Sequence, residues 1–132
     1  MSPYWYVAIG GAIGSASRYG LTVAIQSRAG TTFPIATMLI NVTGSILLGF
    51  LMRYSVESTA LSVEMRTLLT TGFCGGYTTF STFSYETARL MEEGDWTRAA
   101  SYILLSVAVS LLGTFAGFRL AQYILAARRG LP

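Results

Sequence analysis

The 132-residue sequence contains no histidine and no lysine, and it has a single cysteine, Cys74. Without histidine the chain lacks the commonest general base and metal ligand, and one cysteine permits neither an internal disulfide nor a zinc site. Charged residues make up only 11% of the chain, whereas about 25% is usual in soluble domains. Hydrophobic residues make up 52%. The composition therefore predicts a membrane protein, and an enzyme is the least favoured class.

The net charge of +3 comes from nine arginines set against six acidic residues. A basic excess can indicate a nucleic-acid partner, but such proteins concentrate their basic residues in a stripe or patch. Here the arginines are scattered through apolar sequence. We therefore expect no nucleic-acid partner.

Four apolar segments are each long enough to cross a hydrocarbon core of about 30 Å. Ser62 and Asp95 are candidate N-caps of the third and fourth segments, and Thr31 or Thr32 is a candidate cap of the second. The length fits one domain, 1–132. The sequence therefore predicts an all-α membrane protein with four spans at about 4–26, 34–53, 63–90 and 97–126.

Glycine pairs four residues apart occur in the first and fourth segments. Gly10 and Gly14 form one pair, and Gly113 and Gly117 form the other. Such pairs allow close helix packing in lipid, although glycine is common in membrane helices in general.

The arginines divide almost evenly between the two sides of the predicted bundle, so the positive-inside rule gives no firm orientation. The chain either inserts both ways up, so that two opposed copies assemble, or a small bias suffices to orient it. Five arginines belong to one side (Arg53, Arg66, Arg119, Arg128, Arg129) and four to the other (Arg18, Arg28, Arg89, Arg98).

The third segment is interrupted by the stretch "TTGFCGGYTTFSTFSYE", residues 70–86. Gly75 and Gly76 are poor helix formers, and hydroxyl residues crowd around them. A break within a span frees backbone groups, which is tolerated only where protein or a polar cavity satisfies them. We therefore predict a discontinuous helix that lines an ion path, rather than a simple glycine kink.

Phe80 and Phe83 share a face of the helix that resumes after this break. Such spacing is usual in a core, but the positive edge of an aromatic ring can also contact an anion. Side-chain donors accompany the rings, and no carboxylate is fixed among them. They are Asn41 in the second segment, Ser81, Thr82 and Ser84 beside the rings, and Ser110 and Thr114 in the fourth segment.

Arg18 lies inside the first segment, where a charge is costly and is by default a functional candidate. It either extends to the interface or raises the anion concentration near a vestibule. Glu86 either pairs with an arginine or gates the path.

The run "GGYTTFSTFS" at 75–84, together with "INVTGS" around Asn41 and "GGAIGSASR" ending at Arg18, resembles the CrcB/Fluc family of fluoride channels. The resemblance covers essentially the whole chain. It implies an antiparallel, dual-topology homodimer with two pores, which passively exports fluoride across the plasma (inner) membrane of a prokaryote. Fluoride, the lipid bilayer and a second copy are the implied partners.

The resemblance also implies roles for individual residues. Gly75 and Thr78 would offer backbone carbonyls to a structural Na⁺ on the dimer axis, with no organic cofactor. Glu86 and Tyr102 would lie near the pore ends. The residues implied to line the pore are Asn41, Phe80, Ser81, Thr82, Phe83, Ser110 and Thr114.

Two other functions remain to be distinguished from a channel. A four-span, dual-topology, proton-coupled multidrug exporter needs a membrane carboxylate early in the bundle, and the first two segments contain none. A non-transporting assembly subunit would not need a glycine break flanked by hydroxyls.

Overall fold

The computed structural model describes residues 2–130, and every regular element in that range is a helix. The ends of the predicted domain, at 1 and 132, lie outside the described residues. The elements are α1 (Pro3–Ala29), α2 (Ile35–Glu57), α3 (Val63–Thr67), a π-helical segment (Leu68–Cys74), α4 (Gly75–Tyr77), α5 (Phe80–Glu92) and α6 (Trp96–Arg128).

Within the described range, α2 and α6 are the helices that are long and apolar enough to cross a membrane by length and composition. The helix α1 is longer than α2 but is less apolar on average, and it carries Arg18 within its length. The elements from α3 to α5 follow one another within the third predicted segment, 63–90, and α5 continues to Glu92.

Two of the predicted helix caps are confirmed. The Ser62 hydroxyl accepts a hydrogen bond from the Met65 amide, and the Asp95 carboxylate accepts one from the Arg98 amide. The cap predicted at Thr31 or Thr32 is wrong. The helix α2 begins at Ile35 without a side-chain cap, and the Thr31 hydroxyl instead accepts from the Phe33 amide in the preceding turn.

The helices α2 and α6 form the largest interhelical contact, and they run parallel. Three glycines allow it. A Cβ on Gly49 would meet the backbone of Thr114, and one on Gly117 would meet the backbone of Ile46 and Phe50. Gly113 packs against the Ile46 side chain in the same contact. The packing role predicted for Gly113 and Gly117 is therefore confirmed.

The glycine pair in α1 packs against the π-helical segment and α4. A Cβ on Gly10 would meet the Leu68 carbonyl and the Phe73 amide, and one on Gly14 would meet Phe73 and Tyr77. This predicted packing face is also confirmed. It holds the chain immediately before residue 78 against α1.

Hydrophobic clusters occupy the two ends of the α2–α6 pair. Tyr54, Ala121 and Leu125 form one cluster, and Leu90, Ala99 and Tyr102 form the other. The part of α6 between Ser106 and Thr114 lies between these clusters and faces a cavity.

Candidate functional site

The helical chain is interrupted at Thr78 and Thr79, both of which have extended backbone angles. The predicted break at Gly75 and Gly76 is therefore displaced by three residues. Gly75 is helical, with φ −63° and ψ −38°, and both glycines belong to α4. Position 76 requires glycine because a Cβ there would collide with the backbone of Gly11, and not because its backbone conformation is unusual.

Asn41 satisfies the backbone at the interruption. Its Oδ1 accepts from the Thr79 amide at 2.8 Å, and its Nδ2 donates to the Thr79 carbonyl at 3.0 Å. One side-chain amide thus replaces both hydrogen bonds that a helix or strand would give Thr79. Because buried backbone groups are almost always paired, Asn41 stabilises the extended conformation.

Thr79 also begins the helix that follows. Its hydroxyl accepts from the Thr82 amide at 3.2 Å and so caps the N-terminus of α5. The Ser81 and Thr82 hydroxyls lie 3.3 Å and 3.1 Å from the same oxygen. A polar cluster of three hydroxyls therefore surrounds the helix start, where the helix dipole favours negative charge.

Arg18 lies on the other side of the interruption. Its Nη1 donates to the Thr78 carbonyl at 3.3 Å, just after the C-terminal end of α4. This bond was not predicted from the sequence, and it tests neither of the two roles considered there, extension to the interface and attraction of anions near a vestibule. Arg18 and Thr82 line a cavity of about 300 Å³ together with Thr79 and Thr37.

A second cavity, of about 360 Å³, lies between α2, α5 and α6. It brings together Asn41, Phe80, Phe83, Ser110 and Thr114 from the predicted pore set, whereas Ser81 and Thr82 lie outside it. Within residues 2–130, no charged side chain lines this cavity. The remaining lining residues are Gly44, Ser45, Leu48, Thr78, Thr79, Ser106, Val107 and Leu111.

Ser106 is a lining residue that the sequence interpretation missed. It is 6% exposed, and its hydroxyl has no hydrogen-bond partner among residues 2–130. By contrast, the Thr114 hydroxyl donates to the Ser110 carbonyl one turn earlier. Ser106 precedes Ser110 by one turn, so the spacing of Ser106, Ser110 and Thr114 was a signal that could have found it.

The two phenylalanines lie next to one another and to Tyr102. The ring centroids of Phe80 and Phe83 are 5.5 Å apart, and those of Phe83 and Tyr102 are 5.1 Å apart. Tyr102 is fully buried, whereas Phe80 is 78% exposed. The aromatic group therefore runs from the core of the chain to its surface.

In the described part of the chain, Glu86 forms no ion pair with an arginine. Its two carboxylate oxygens accept from the Thr37 hydroxyl at 2.9 Å and from the Tyr102 hydroxyl at 2.7 Å. Thr37, one turn before Asn41 on α2, is a further residue that the sequence interpretation missed. The arginine nearest in sequence, Arg89, pairs with Glu93.

Comparisons with known proteins identify the family of the chain. A family model described as "CrcB-like protein, Camphor Resistance (CrcB)" matches residues 5–118. A Geobacter sulfurreducens protein named "Fluoride-specific ion channel FluC" is 44% identical over 118 residues, covering 89% of this chain and 95% of that protein. Proteins of the same name from Chlorobaculum tepidum and Aquifex aeolicus are 47% and 39% identical, covering 88% and 92% of this chain and 91% and 98% of their own lengths.

The match spans most of the chain and includes the Asn41, Thr78–Thr79 and Ser106–Thr114 regions that surround the cavity. The chain therefore belongs to the CrcB family.

Proposed function

We propose that the protein is a fluoride channel that exports fluoride passively across a bacterial membrane and so relieves fluoride toxicity. The observation that carries this proposal is the similarity, over about nine-tenths of the chain, to proteins named fluoride-specific ion channels. A channel needs neither a catalytic group nor a nucleotide site. Fluoride efflux from liposomes that contain the purified protein is the direct test.

The chemistry of the cavity suits a small, strongly hydrated anion. Fluoride leaves water only if several donors replace its hydration shell. The free Ser106 hydroxyl, the second N–H of the Asn41 amide and the neighbouring hydroxyls are such donors. No carboxylate lines the cavity to repel the anion.

The path that we propose runs along the α6 hydroxyls and past the two phenylalanines. The edges of Phe80 and Phe83 carry partial positive charge and would contact the ion where hydroxyls are absent. Glu86 and Tyr102 would lie at one end of this path, since Tyr102 contacts Phe83. Thr82 and Arg18 would belong to an adjoining vestibule, because they share the neighbouring cavity, and Ser81 would face it from the hydroxyl cluster.

Replacing Phe80 or Phe83 with isoleucine should lower fluoride efflux by about ten-fold or more, because isoleucine keeps the bulk but lacks the ring quadrupole. Efflux from liposomes would be measured alongside the oligomeric state. Phe50→Ile, which alters a ring packed on Tyr54 away from the cavity, is the matched control and should leave efflux near normal. Normal efflux from both Phe80→Ile and Phe83→Ile would remove the rings from the path.

We also include in the proposal that the working unit is an antiparallel, dual-topology homodimer. Phe80 is largely exposed although it belongs to the cavity, so a second copy would complete the wall of the path. The near-balance of arginines, five against four, gives the chain little reason to prefer one orientation. Each chain would be a single integral membrane domain in the inner membrane.

Three lysines placed in the "EEGDW" loop, residues 92–96, should force one orientation and impair assembly. Co-expression with a copy biased the opposite way should restore a fluoride-conducting dimer. Labelling of an introduced loop cysteine, in a Cys74→Ser background, would report orientation. Labelling of the otherwise unmodified chain from one membrane side alone would contradict dual topology.

The proposal assigns one Na⁺ to the carbonyls of Gly75 and Thr78, and the local bonding at Gly75 fits a cation. Thr79, which would ordinarily donate to the Gly75 carbonyl, donates to Asn41 instead, and this leaves the Gly75 oxygen available. Among the described hydrogen bonds the Thr78 carbonyl accepts only the long bond from Arg18, which a Na⁺ bound there would have to displace. A bound Na⁺ would stabilise the dimer, because each of the two copies would supply these carbonyl oxygens.

Complete exchange of Na⁺ for a large organic cation should then weaken the dimer, and unchanged dimer stability would contradict the assignment.

A further inference from the structure

A basic pocket lies outside the proposed ion path, on the surface of α2 and α6. It has a volume of about 260 Å³ and is lined by Arg53, Phe115, Phe118, Arg119 and Gln122. The rings of Phe115 and Phe118 pack edge to face, with centroids 5.9 Å apart. Two guanidinium groups and an amide therefore face one small space that has an aromatic side.

The positive charge of this pocket is only partly compensated. Arg53 forms an ion pair with Glu57, and its Nε is withdrawn from water without a hydrogen bond of good geometry. Arg119 takes part in no ion pair or hydrogen bond between residues 2 and 130. Glu57 is not one of the lining residues, and its single carboxylate cannot neutralise both arginines.

From the lengths of the helices, we expect the pocket at the depth of the lipid head groups. Arg53 lies 18 residues after Ile35, the first residue of α2, which is about 27 Å along the helix. Arg119 lies 23 residues after Trp96, the first residue of the parallel helix α6, which is about 35 Å. Trp96 is of a type enriched at membrane interfaces. If the hydrocarbon begins near these helix starts, it ends about 30 Å further on, beside both arginines.

We propose that this pocket binds the phosphate of an anionic phospholipid, with Arg53, Arg119 and Gln122 donating to the phosphate and Phe115 and Phe118 flanking the acyl chain. Charge complementarity carries the choice of occupant, because basic pockets between membrane helices favour anionic head groups. The proposal is independent of fluoride conduction, since no residue of this pocket lines the cavity assigned to the ion.

The test is native mass spectrometry of the detergent-purified full chain supplied with equal amounts of phosphatidylglycerol and phosphatidylcholine of matched acyl chains. The unmodified protein should retain phosphatidylglycerol preferentially. The variant Arg53→Gln/Arg119→Gln should lose about ten-fold or more of that preference, because it removes the contributions of two arginines to the attraction for an anionic head group. Soluble glycerol phosphate should not displace the lipid.

The matched control is Arg66→Gln/Arg129→Gln, which removes the same charge from the same end of the bundle outside the pocket. It should keep the preference within about two-fold, because only nonspecific attraction is altered. Equal loss in both variants, or no preference in the unmodified protein, would overturn the proposal. Conversion of a dimer to a monomer by the Arg53→Gln/Arg119→Gln variant, without lipid retention by the unmodified protein, would assign the pocket to a second copy instead. Circular dichroism of each variant establishes that the helices are intact.

Discussion

Replacing Asn41 with leucine should abolish most fluoride efflux and destabilise the fold. Leucine has a similar shape but leaves both the amide and the carbonyl of Thr79 without partners. A buried unpaired polar group costs about 1–3 kcal/mol, so the two together cost about 2–6 kcal/mol. The extended residues at the interruption then lose the bonds that hold them against α2. Thermal unfolding in detergent and efflux from liposomes measure the two effects.

A second variant separates bonding from shape. Asn41→Asp keeps the acceptor for the Thr79 amide but places a carboxylate oxygen against the Thr79 carbonyl, and it adds a negative charge to the cavity. The folded variant should conduct fluoride poorly, because its negative charge repels the anion. The control is Thr87→Val, since the buried Thr87 hydroxyl bonds only to Phe83 within its own helix. Wild-type stability in Asn41→Leu would show that Asn41 does not hold the interruption.

Gly117→Val should prevent folding of the bundle. The added side chain would occupy the space of the Ile46 carbonyl and the Phe50 amide, and a backbone contact cannot move aside as a side chain can. Inserting carbon atoms into a packed contact costs about 1–3 kcal/mol or more even where relaxation is possible, and here two helices must separate. The yield of monodisperse protein and its unfolding temperature are the measurements.

Two substitutions on the same helix provide the controls. Ala116→Val adds a valine at the neighbouring, exposed position and should be well tolerated. Gly113→Ala should be intermediate, because its Cβ would meet only the Ile46 side chain closely. Equal stability of Gly117→Val and Ala116→Val would contradict the close packing of α2 and α6.

The helical class, the packing glycines and two caps could be predicted because each depends on residues near in sequence. Periodicity and composition indicate helices, and Ser62 and Asp95 cap the helices that begin directly after them. The resemblance to the CrcB family also allowed part of the cavity lining to be predicted, namely Asn41, Phe80, Phe83, Ser110 and Thr114. These residues come from three helices, and residue spacing alone does not bring them together.

The exact site of the interruption could not be predicted, because the tertiary partner decides it. Glycine propensity points to Gly75 and Gly76, but both remain helical. Thr78 and Thr79 become extended because Asn41, distant in sequence, replaces the helical hydrogen bonds of Thr79. The hydrogen bonds from Thr37 and Tyr102 to Glu86 could not be predicted for the same reason, since each joins two different helices.

Fluoride efflux from phosphatidylcholine liposomes that contain the purified protein tests the central proposal most directly. An imposed fluoride gradient should dissipate without ATP and without a proton gradient, and an equal chloride gradient should persist. A fluoride-selective electrode records the first and a chloride electrode the second. No fluoride efflux from a correctly folded protein, equal efflux of chloride, or efflux that requires a proton gradient, as in a coupled exporter, would contradict the account.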